Sequence, residues 1–460
     1  MRRKEFIDRE IELKSLEKLW SGKNFALVIV YGRRRIGKTR LLNEFAKGKR
    51  YIYYVAVESQ YNLITEEFSE IVRKFLNLPL KGDILDIISS IVDLVDEKML
   101  IILDEFQYIV NADPSFVSRL QRLVDTKLKD KKLMLILCGS AVSFFENKLL
   151  GYKSPIFGRR ASSMRIKALR LHQIRDFFPS YDLRTLISVY SIVGGTPGYL
   201  EKLNPEKTIE ENIRIMITPG NYLFDEAPNL LKQEVREPRV YFSILAAIAD
   251  GRNTLRESAS IARVDPRSIT KYIALLEELS IVKKIKPIGF KRPVKIKISD
   301  NYFRFWFSYT YRLMSLLESQ LIDDAISYIV DTLDNYISHV FEDIIAELVP
   351  ILFKANIIRT RPIQIGTWWH KDQEIDVIVR DPGTSTTFME VKWRDLKLKD
   401  ARSILRELEF KASKSGLVSP VNYYILFSRE IIDCNTPLNI DNHRIIVDLK
   451  TLSAILKTRQ

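Results

Sequence analysis

The segment GRRRIGKT, residues 32–39, carries the residue types needed to hold a triphosphate. Gly32 and Gly37 let the backbone curl, so that the amides of Arg33, Arg34, Arg35 and Ile36 join theirs around the phosphates. Lys38 is placed to reach the β- and γ-phosphates, and Thr39 to offer its hydroxyl to Mg²⁺. The motif needs a strand before it and a helix after it, and FALVIV (25–30) and TRLLNEFAKG (39–48) supply both. A second half-site is LIILDE, residues 100–105. Asp104 ends an apolar strand, where a carboxylate holds Mg²⁺ through water, and Glu105 follows, placed to polarise the attacking water. The cofactors expected from this set are ATP and Mg²⁺. Ser140 ends KLMLILCGS (132–140); it either orients the γ-phosphate or water or simply closes the strand in a Gly-Ser turn. Arg159, in SPIFGRR, is the candidate arginine finger, with Arg160 its rival.

The elements that must position these groups are legible as buried strands and helices. FALVIV, YIYYVAV (51–57), KMLIILDE (98–105) and KLMLILCGS are apolar runs rather than alternating ones, as strands covered on both faces require. Helical segments of ten or more residues separate them. The fold class expected is therefore α/β, built on a P-loop NTPase parallel sheet. Residues 1–180 read as that core, and 181–233 as a helical lid around the turn GGTPG (194–198).

Further along, residues 234–298 read as helices followed by two basic strands, and the part that begins with TLRESASI (254–298) resembles a winged helix-turn-helix. Ile269, Ile273, Leu276 and Leu279 form one apolar stripe. Arg267, Ser268, Thr270 and Lys271 begin the opposite face, suited to bases and phosphates. Lys283, Lys284, Lys286, Lys291, Arg292, Lys295 and Lys297 make the expected wing basic, which suits phosphate contacts unless the module docks on protein. An aromatic helical linker (299–334) leads to a C-terminal domain (335–460).

In that last domain, EIDVIVR (374–380) and TTFMEVKW (386–393) flank the turn DPGTS. A hairpin centred on Gly383 puts Asp376 opposite Glu390, Glu374 opposite Lys392 and Ile378 opposite Phe388, all on one face. Asp…Glu-x-Lys on adjacent strands is the constellation of restriction-endonuclease-like nucleases. Asp376 and Glu390 would hold a metal at the scissile phosphate, Lys392 would stabilise charge, and Glu342, on an upstream helix, is a further candidate ligand. The other reading of the same residues is a salt-bridged hairpin.

The bulk numbers narrow the class. At 460 residues, with 46% hydrophobic and 28% charged residues, the chain is globular and large enough for several domains. Two cysteines and four histidines, scattered, exclude a disulfide scaffold and a zinc cluster. Neither a secretory leader nor a membrane span is legible, so the expectation is a cytoplasmic protein without a membrane partner. A net charge of +14 favours a polyanion, and double-stranded DNA is the expected partner. A homo-oligomer is compatible with the sequence.

The motifs together carry a resemblance. FIDREIELKSLEKL (6–19), GRRRIGKT, LDEFQY (103–108), CGS (138–140), FGRR (157–160) and GGTPGYL (194–200) resemble the archaeal branch of the STAND/AAA-related P-loop ATPases. The resemblance implies that Pro197 packs by the adenine and reports nucleotide state. The C-terminal region resembles the uncharacterised domain that often follows such ATPases. Two functions are thereby expected: a DNA-acting ATPase with a metal-dependent nuclease-like domain, or a STAND-type switch in which slow ATP turnover alters DNA or protein binding without cleavage.

Overall fold

The structure, a computed structural model, describes residues 9–290 and 293–457. Phe6, Ile7 and Asp8 of the opening motif, and Lys291 and Arg292 of the basic hairpin, lie outside the described residues. The chain divides into two compact units. One runs to Ala168 and includes Thr196–Gly198; the other comprises Leu169–Gly195 and everything from Tyr199 onward.

The first unit is built on five parallel strands, β1 (Ala26–Tyr31), β2 (Tyr51–Val55), β3 (Met99–Asp104), β4 (Leu133–Gly139) and β5 (Ser162–Arg165), in the order β2-β3-β4-β1-β5. Both faces are covered, which is why β1, β3 and β4 are buried at every position and apolar but for Asp104 at the end of β3. Val28, Val30, Ile102 and Ile136 pack on helices Glu10–Trp20 and Lys38–Ala46 through Leu16, Leu41 and Phe45. Leu27, Ile29, Ile101 and Leu103 face Ile64, Phe68, Ile88 and Leu120 on the other side. Strand β5 is not predicted from the sequence. Its four residues, SSMR, are polar and partly exposed at the sheet edge, and only pairing with β1 makes them a strand. Since β4 separates β1 from β3, all three strand ends meet at one edge, and the loops that follow them carry the phosphate motif, Asp104–Glu105 and Ser140.

The second unit begins with helices whose N-termini are specified locally. Thr208 with Glu211, and Thr254 with Glu257, form capping boxes. After helices Pro238–Ala249, Leu255–Ile261 and Ile269–Glu278 come β6 (Val282–Ile285) and β7 (Lys295–Ile298), an antiparallel pair. The segment predicted as a linker is instead a core. Tyr302, Phe303, Phe305 and Trp306 are fully buried, and the Tyr302 hydroxyl donates to the Leu223 carbonyl at 2.7 Å while accepting from the Ala227 amide at 3.0 Å.

The last part is a six-stranded mixed sheet, in the order β12-β13-β11-β10-β9-β8: β8 (Gln364–His370), β9 (Gln373–Asp381), β10 (Ser385–Leu396), β11 (Val421–Ile431), β12 (Leu438–Asn439) and β13 (Arg444–Val447). Helix Leu398–Lys414 covers one face through Leu405 and Leu408 against Ile378 and Phe388. The long helix Ile322–Lys354 packs beside β10, with Phe341 edge-on to Trp393.

One close approach in this unit leaves no room for a side chain. A Cβ on Gly195 would sit 1.7 Å from the Leu169 carbonyl oxygen, whereas one on Gly220 would meet nothing within 4 Å. Gly195→Ala is expected to destabilise by ~3 kcal/mol or more because the main chain must move. Gly220→Ala, which carries only the positive-φ penalty, is expected to cost ~1 kcal/mol. Equilibrium unfolding of the two variants checks the difference.

Candidate functional site

The phosphate loop leaves β1 with Gly32 at φ +156° and enters its helix through Gly37 at φ +93°, with Arg35 at φ +65° between them. A Cβ on Gly32 would lie 2.4 Å from the Ile166 carbonyl oxygen, so this position admits no side chain. Ile36 is buried in the core beneath the loop. Arg9, from the segment before the first helix, donates to the carbonyls of Ile36 (3.1 Å) and Lys167 (2.7 Å) and braces the loop from below. Arg9 falls within the opening motif FIDREIELKSLEKL, but its place beneath the loop and its burial are invisible without the fold.

Lys38 is buried, and its ammonium donates to the carbonyls of Gly32 (2.7 Å) and Arg33 (3.0 Å) across the loop. Arg34 reaches the Tyr108 hydroxyl at 3.3 Å. The ammonium of Lys38 thus closes the loop on itself, and Arg34 ties it to Tyr108. Pro197 comes to the same loop: the Gly198 amide donates to the Arg35 carbonyl at 3.1 Å, and the Pro197 ring lies beside Gly37.

Asp104 faces the loop. One of its oxygens, Oδ2, accepts from the Thr39 hydroxyl (3.1 Å) and the Tyr53 hydroxyl (2.7 Å). Burial first, then the Asp104 charge, pushes the Tyr53 phenol far above its ordinary pKa, so it acts as a permanent donor. The pair Thr39 and Asp104 supplies the hydroxyl and carboxylate oxygens that a hard cation takes, and these residues fit Mg²⁺ bound with nucleotide. Glu105 sits in the left-handed region at φ +51°. Its Oε2 accepts from the Ser140 hydroxyl (2.8 Å), the Ser140 amide (3.2 Å) and the Gln107 side-chain amide (2.6 Å). Ser140 thus bonds the acid beside the loop. Tyr53 is not legible as a site residue in the sequence, since its segment reads simply as a strand and only strand order brings it to Asp104; Gln107 falls within the motif LDEFQY, two residues after Glu105, but nothing singles it out.

Arg159 requires a correction. It is held by Asp125 through Nε (2.9 Å) and Nη2 (2.8 Å), and Nη1 donates to the Pro155 carbonyl. It precedes β5 and lines a hollow with Phe25, at the entry end of β1, opposite to the end that bears the phosphate loop. It is not in the nucleotide site of its own chain. Its rival Arg160 donates to the Leu150 carbonyl at 3.4 Å and lies over the Phe157 ring.

In the second unit the hairpin register is as the spacing about Gly383 requires: Ser385 pairs with Asp381 and Phe388 with Ile378. The ladder runs as far as Met389 opposite Val377; beyond it the Asp376 carboxylate accepts from the Val391 amide at 2.7 Å. Lys392 Nζ lies 2.8 Å from Glu390 and 3.8 Å from Asp376. Glu390 is buried, and a second lysine, Lys411 on helix Leu398–Lys414, reaches it at 3.1 Å. Burial, then the charges of Glu390 and Glu342, pushes the Asp376 carboxyl up to about 8. Burial opposes the Lys392 ammonium, yet Asp376 and Glu390 outweigh it and raise its pKa.

The expected metal set does not assemble as a cage. Among the described residues, no three or more His, Cys, Asp or Glu side chains are arranged to hold a metal ion. Glu342 acts on Asp376 by its charge, while its own nearest ionic neighbour is His339 at 3.7 Å. Beside Glu390 lie two ammonium groups, those of Lys392 and Lys411.

The segment expected as a basic wing also differs from expectation. Lys283 and Lys297 pair with Asp343 at 2.9 and 2.6 Å, and Lys284 pairs with Glu277 at 2.6 Å. These three wing lysines therefore turn to protein. By contrast Arg267, Thr270 and Lys271, at the start of helix Ile269–Glu278, are exposed.

Sheet, loop and paired acids define a P-loop ATPase domain. Residues 6–203 match a family described as an ATPase domain predominantly from Archaea, and residues 306–404 match one described as Archaea bacterial proteins of unknown function. Uncharacterized protein MJECL04 of Methanocaldococcus jannaschii is 33% identical over 434 residues, covering 93% of this chain and 96% of that protein. The chain belongs to that family of archaeal ATPase-domain proteins. Uncharacterized ATP-binding protein MJ0423 of the same organism is 44% identical over 45 residues, 10% of this chain and 76% of its own length. Among solved structures, the Walker-type ATPase PABY2304 of Pyrococcus abyssi shares the fold, with a TM-score of 0.51 at 19% identity over 66% of this chain and 97% of that one. No helix among the described residues is long and apolar enough to cross a membrane.

The raised Asp376 pKa makes stability depend on pH. The folded chain keeps this proton up to about pH 8, whereas the unfolded chain loses it near ~4. Stability contributed by the neutral carboxyl is therefore present at low pH and lost as pH rises through the folded value. Asp376→Asn, which cannot ionise, is expected to flatten this fall by a few kcal/mol. Urea unfolding at a pH near the acid end and at one above 8 checks it; parallel curves for the two proteins would refute the buried neutral acid.

Proposed function

We propose that this chain is a Mg²⁺-dependent ATPase that acts on nucleic acid, with ATP hydrolysed in the N-terminal unit and the polymer bound by the C-terminal unit. The observation that carries the ATPase reading is the convergence of Lys38, Thr39, Asp104, Glu105 and Ser140 at one sheet edge, with the Thr39 hydroxyl 3.1 Å from Asp104. In this reading the loop amides and Lys38 bind the β- and γ-phosphates, and Thr39 and Asp104 hold the cation. Bound Mg²⁺ neutralises charge developing on the phosphates. Glu105, with Oε2 occupied by Ser140 and Gln107, presents Oε1 to the attacking water and accepts its proton. Pro197, packed beside Gly37, senses whether the loop is filled.

The nucleic-acid part rests on the net charge of +14 and on the exposed Arg267, Thr270 and Lys271, which open one face of the second helix of a winged-helix arrangement. The C-terminal sheet, with Asp376, Glu390 and Lys392 on neighbouring strands, supports a restriction-endonuclease-like architecture. One observation favours a switch that binds without cutting: Glu390 already has two ammonium partners, Lys392 and Lys411. On this reading the cluster is a fold remnant stabilised by salt bridges. Cleavage is tested by incubating duplex and single-stranded DNA with Mg²⁺ and ATP; loss of any nicking in Asp376→Ala would return the chain to the nuclease reading.

Lys38→Ala is expected to lower ATP hydrolysis to background, because its ammonium is the group that meets the β- and γ-phosphates. Glu105→Gln is expected to keep nucleotide affinity within a few-fold while kcat falls ~10²-fold or more. A phosphate-release assay alongside labelled-nucleotide binding separates the two effects. A Lys38→Ala protein that turns over at the parental rate would overturn the site.

A further inference from the structure

The basic hairpin β6–β7 does not stand free. The Ile288 amide, beyond β6, donates to the Thr367 carbonyl of β8 at 2.8 Å, and the Ile288 side chain packs on Gly366. This fixes the hairpin against the C-terminal sheet, and between them, with the long helix as a third wall, lies a cavity of about 730 Å³. Asp376 and Glu342 line it from one side, and hairpin lysines from the other.

Its charges do not balance locally. Asp343, on the long helix, receives Lys297 at 2.6 Å, Lys283 at 2.9 Å and Arg304 at 3.3 Å. Counted over the whole lining, six lysine and arginine side chains face four acids, Glu342, Asp343, Glu374 and Asp376, so positive charge is in excess. Two more lysines on the wall, Lys286 and Lys295, meet no carboxylate within salt-bridge distance among the described residues; Lys295 lies 4.5 Å from the centre of the Trp369 ring. The Trp369 indole nitrogen is itself buried without a hydrogen-bond partner. Unbalanced cations, an aromatic wall and an unused N–H donor together describe a site lacking an anion that also accepts hydrogen bonds. The volume is in the range of a small-ligand pocket, far short of what a duplex needs.

We propose that this cavity binds the sugar-phosphate backbone of a single nucleic-acid strand, with Lys283, Lys286, Lys297 and Arg304 as its phosphate-binding residues and Asp376 facing the bound strand. The inference rests on the nucleic-acid reading above and deepens it. The hairpin lysines serve as the wall of an internal strand site, while duplex contacts fall to the exposed Arg267 and Lys271. A phosphate entering beside Asp343 supplies the missing negative charge and releases counterions, so binding must weaken with salt.

The test uses the full chain and fluorescence anisotropy with a labelled single-stranded oligodeoxythymidylate across a salt series, repeated with duplex DNA, with AMP and with inorganic phosphate. Lys297→Gln and Lys286→Gln are each expected to weaken strand binding and to reduce the slope of log K against log salt by ~0.7 for each phosphate no longer neutralised. Lys286 has no ion pair to break among the described residues, so Lys286→Gln keeps the test valid if Lys297→Gln fails to fold. Arg267→Ala with Lys271→Ala is expected to weaken duplex binding and leave strand binding in place. Strand binding unchanged by both lysine substitutions would overturn the cavity assignment while leaving the nucleic-acid reading intact. Binding of AMP or phosphate alone, with the strand excluded, would overturn the strand as ligand. Absence of binding to either form of DNA would overturn the underlying reading together with the cavity.

Discussion

A carboxylate taken out of water must be given donors or cations, and both units of this protein are arranged around meeting that demand. Asp104 is met by two hydroxyls, from Thr39 and Tyr53. Glu105 is met by Ser140 and Gln107, Glu390 by Lys392 and Lys411, and Asp343 by three cations. Asp376 takes a further route: burial, with Glu390 and Glu342 nearby, pushes its carboxyl pKa up. The way each acid is satisfied decides what it is available to do. On the proposed function, Asp104, met by two neutral hydroxyls, is left for a cation at the loop and Glu105 keeps one oxygen to take a proton, whereas Glu390 is already paired with two lysines.

In the first unit the constraint acts through strand order. A sheet covered on both faces admits no polar group in its interior, so every functional side chain is pushed to the strand ends. Placing β4 between β1 and β3 sets Ser140 between the phosphate loop and the paired acids. The close approaches of Gly32 to Ile166 and of Gly198 to Arg35 then fix the course of the loop main chain.

The second unit solves a different problem, that of tying helices and a mixed sheet into one body. The aromatic segment around Tyr302 and Trp306 does this, since its hydroxyl and indole groups satisfy the carbonyls of Leu223 and Phe224 while the rings fill the centre. The hairpin is secured by ion pairs to the long helix and by main-chain bonding to β8. Charge that in the sequence looks like a surface for DNA is thereby turned inward.

What the sequence alone determined is whatever depends on near neighbours in the chain. The phosphate loop follows from glycine spacing between a strand and a helix, the paired acids from their place at a strand end, and the hairpin register from symmetric spacing about Gly383, because pleat alternation is local. Capping boxes and the apolar stripe of helix Ile269–Glu278 are of the same kind. What only the tertiary structure decided is which distant groups share a pocket: Arg9 beneath the loop, Tyr53 on Asp104, Lys411 on Glu390, and Arg159 drawn to Asp125 at the far end of the sheet. Edge strand β5 and the pairing of Lys283 and Lys297 with Asp343 belong here too. The physical reason is that a charged side chain chooses its partner by proximity and burial across the fold, and neither quantity is written in the order of residues along the chain.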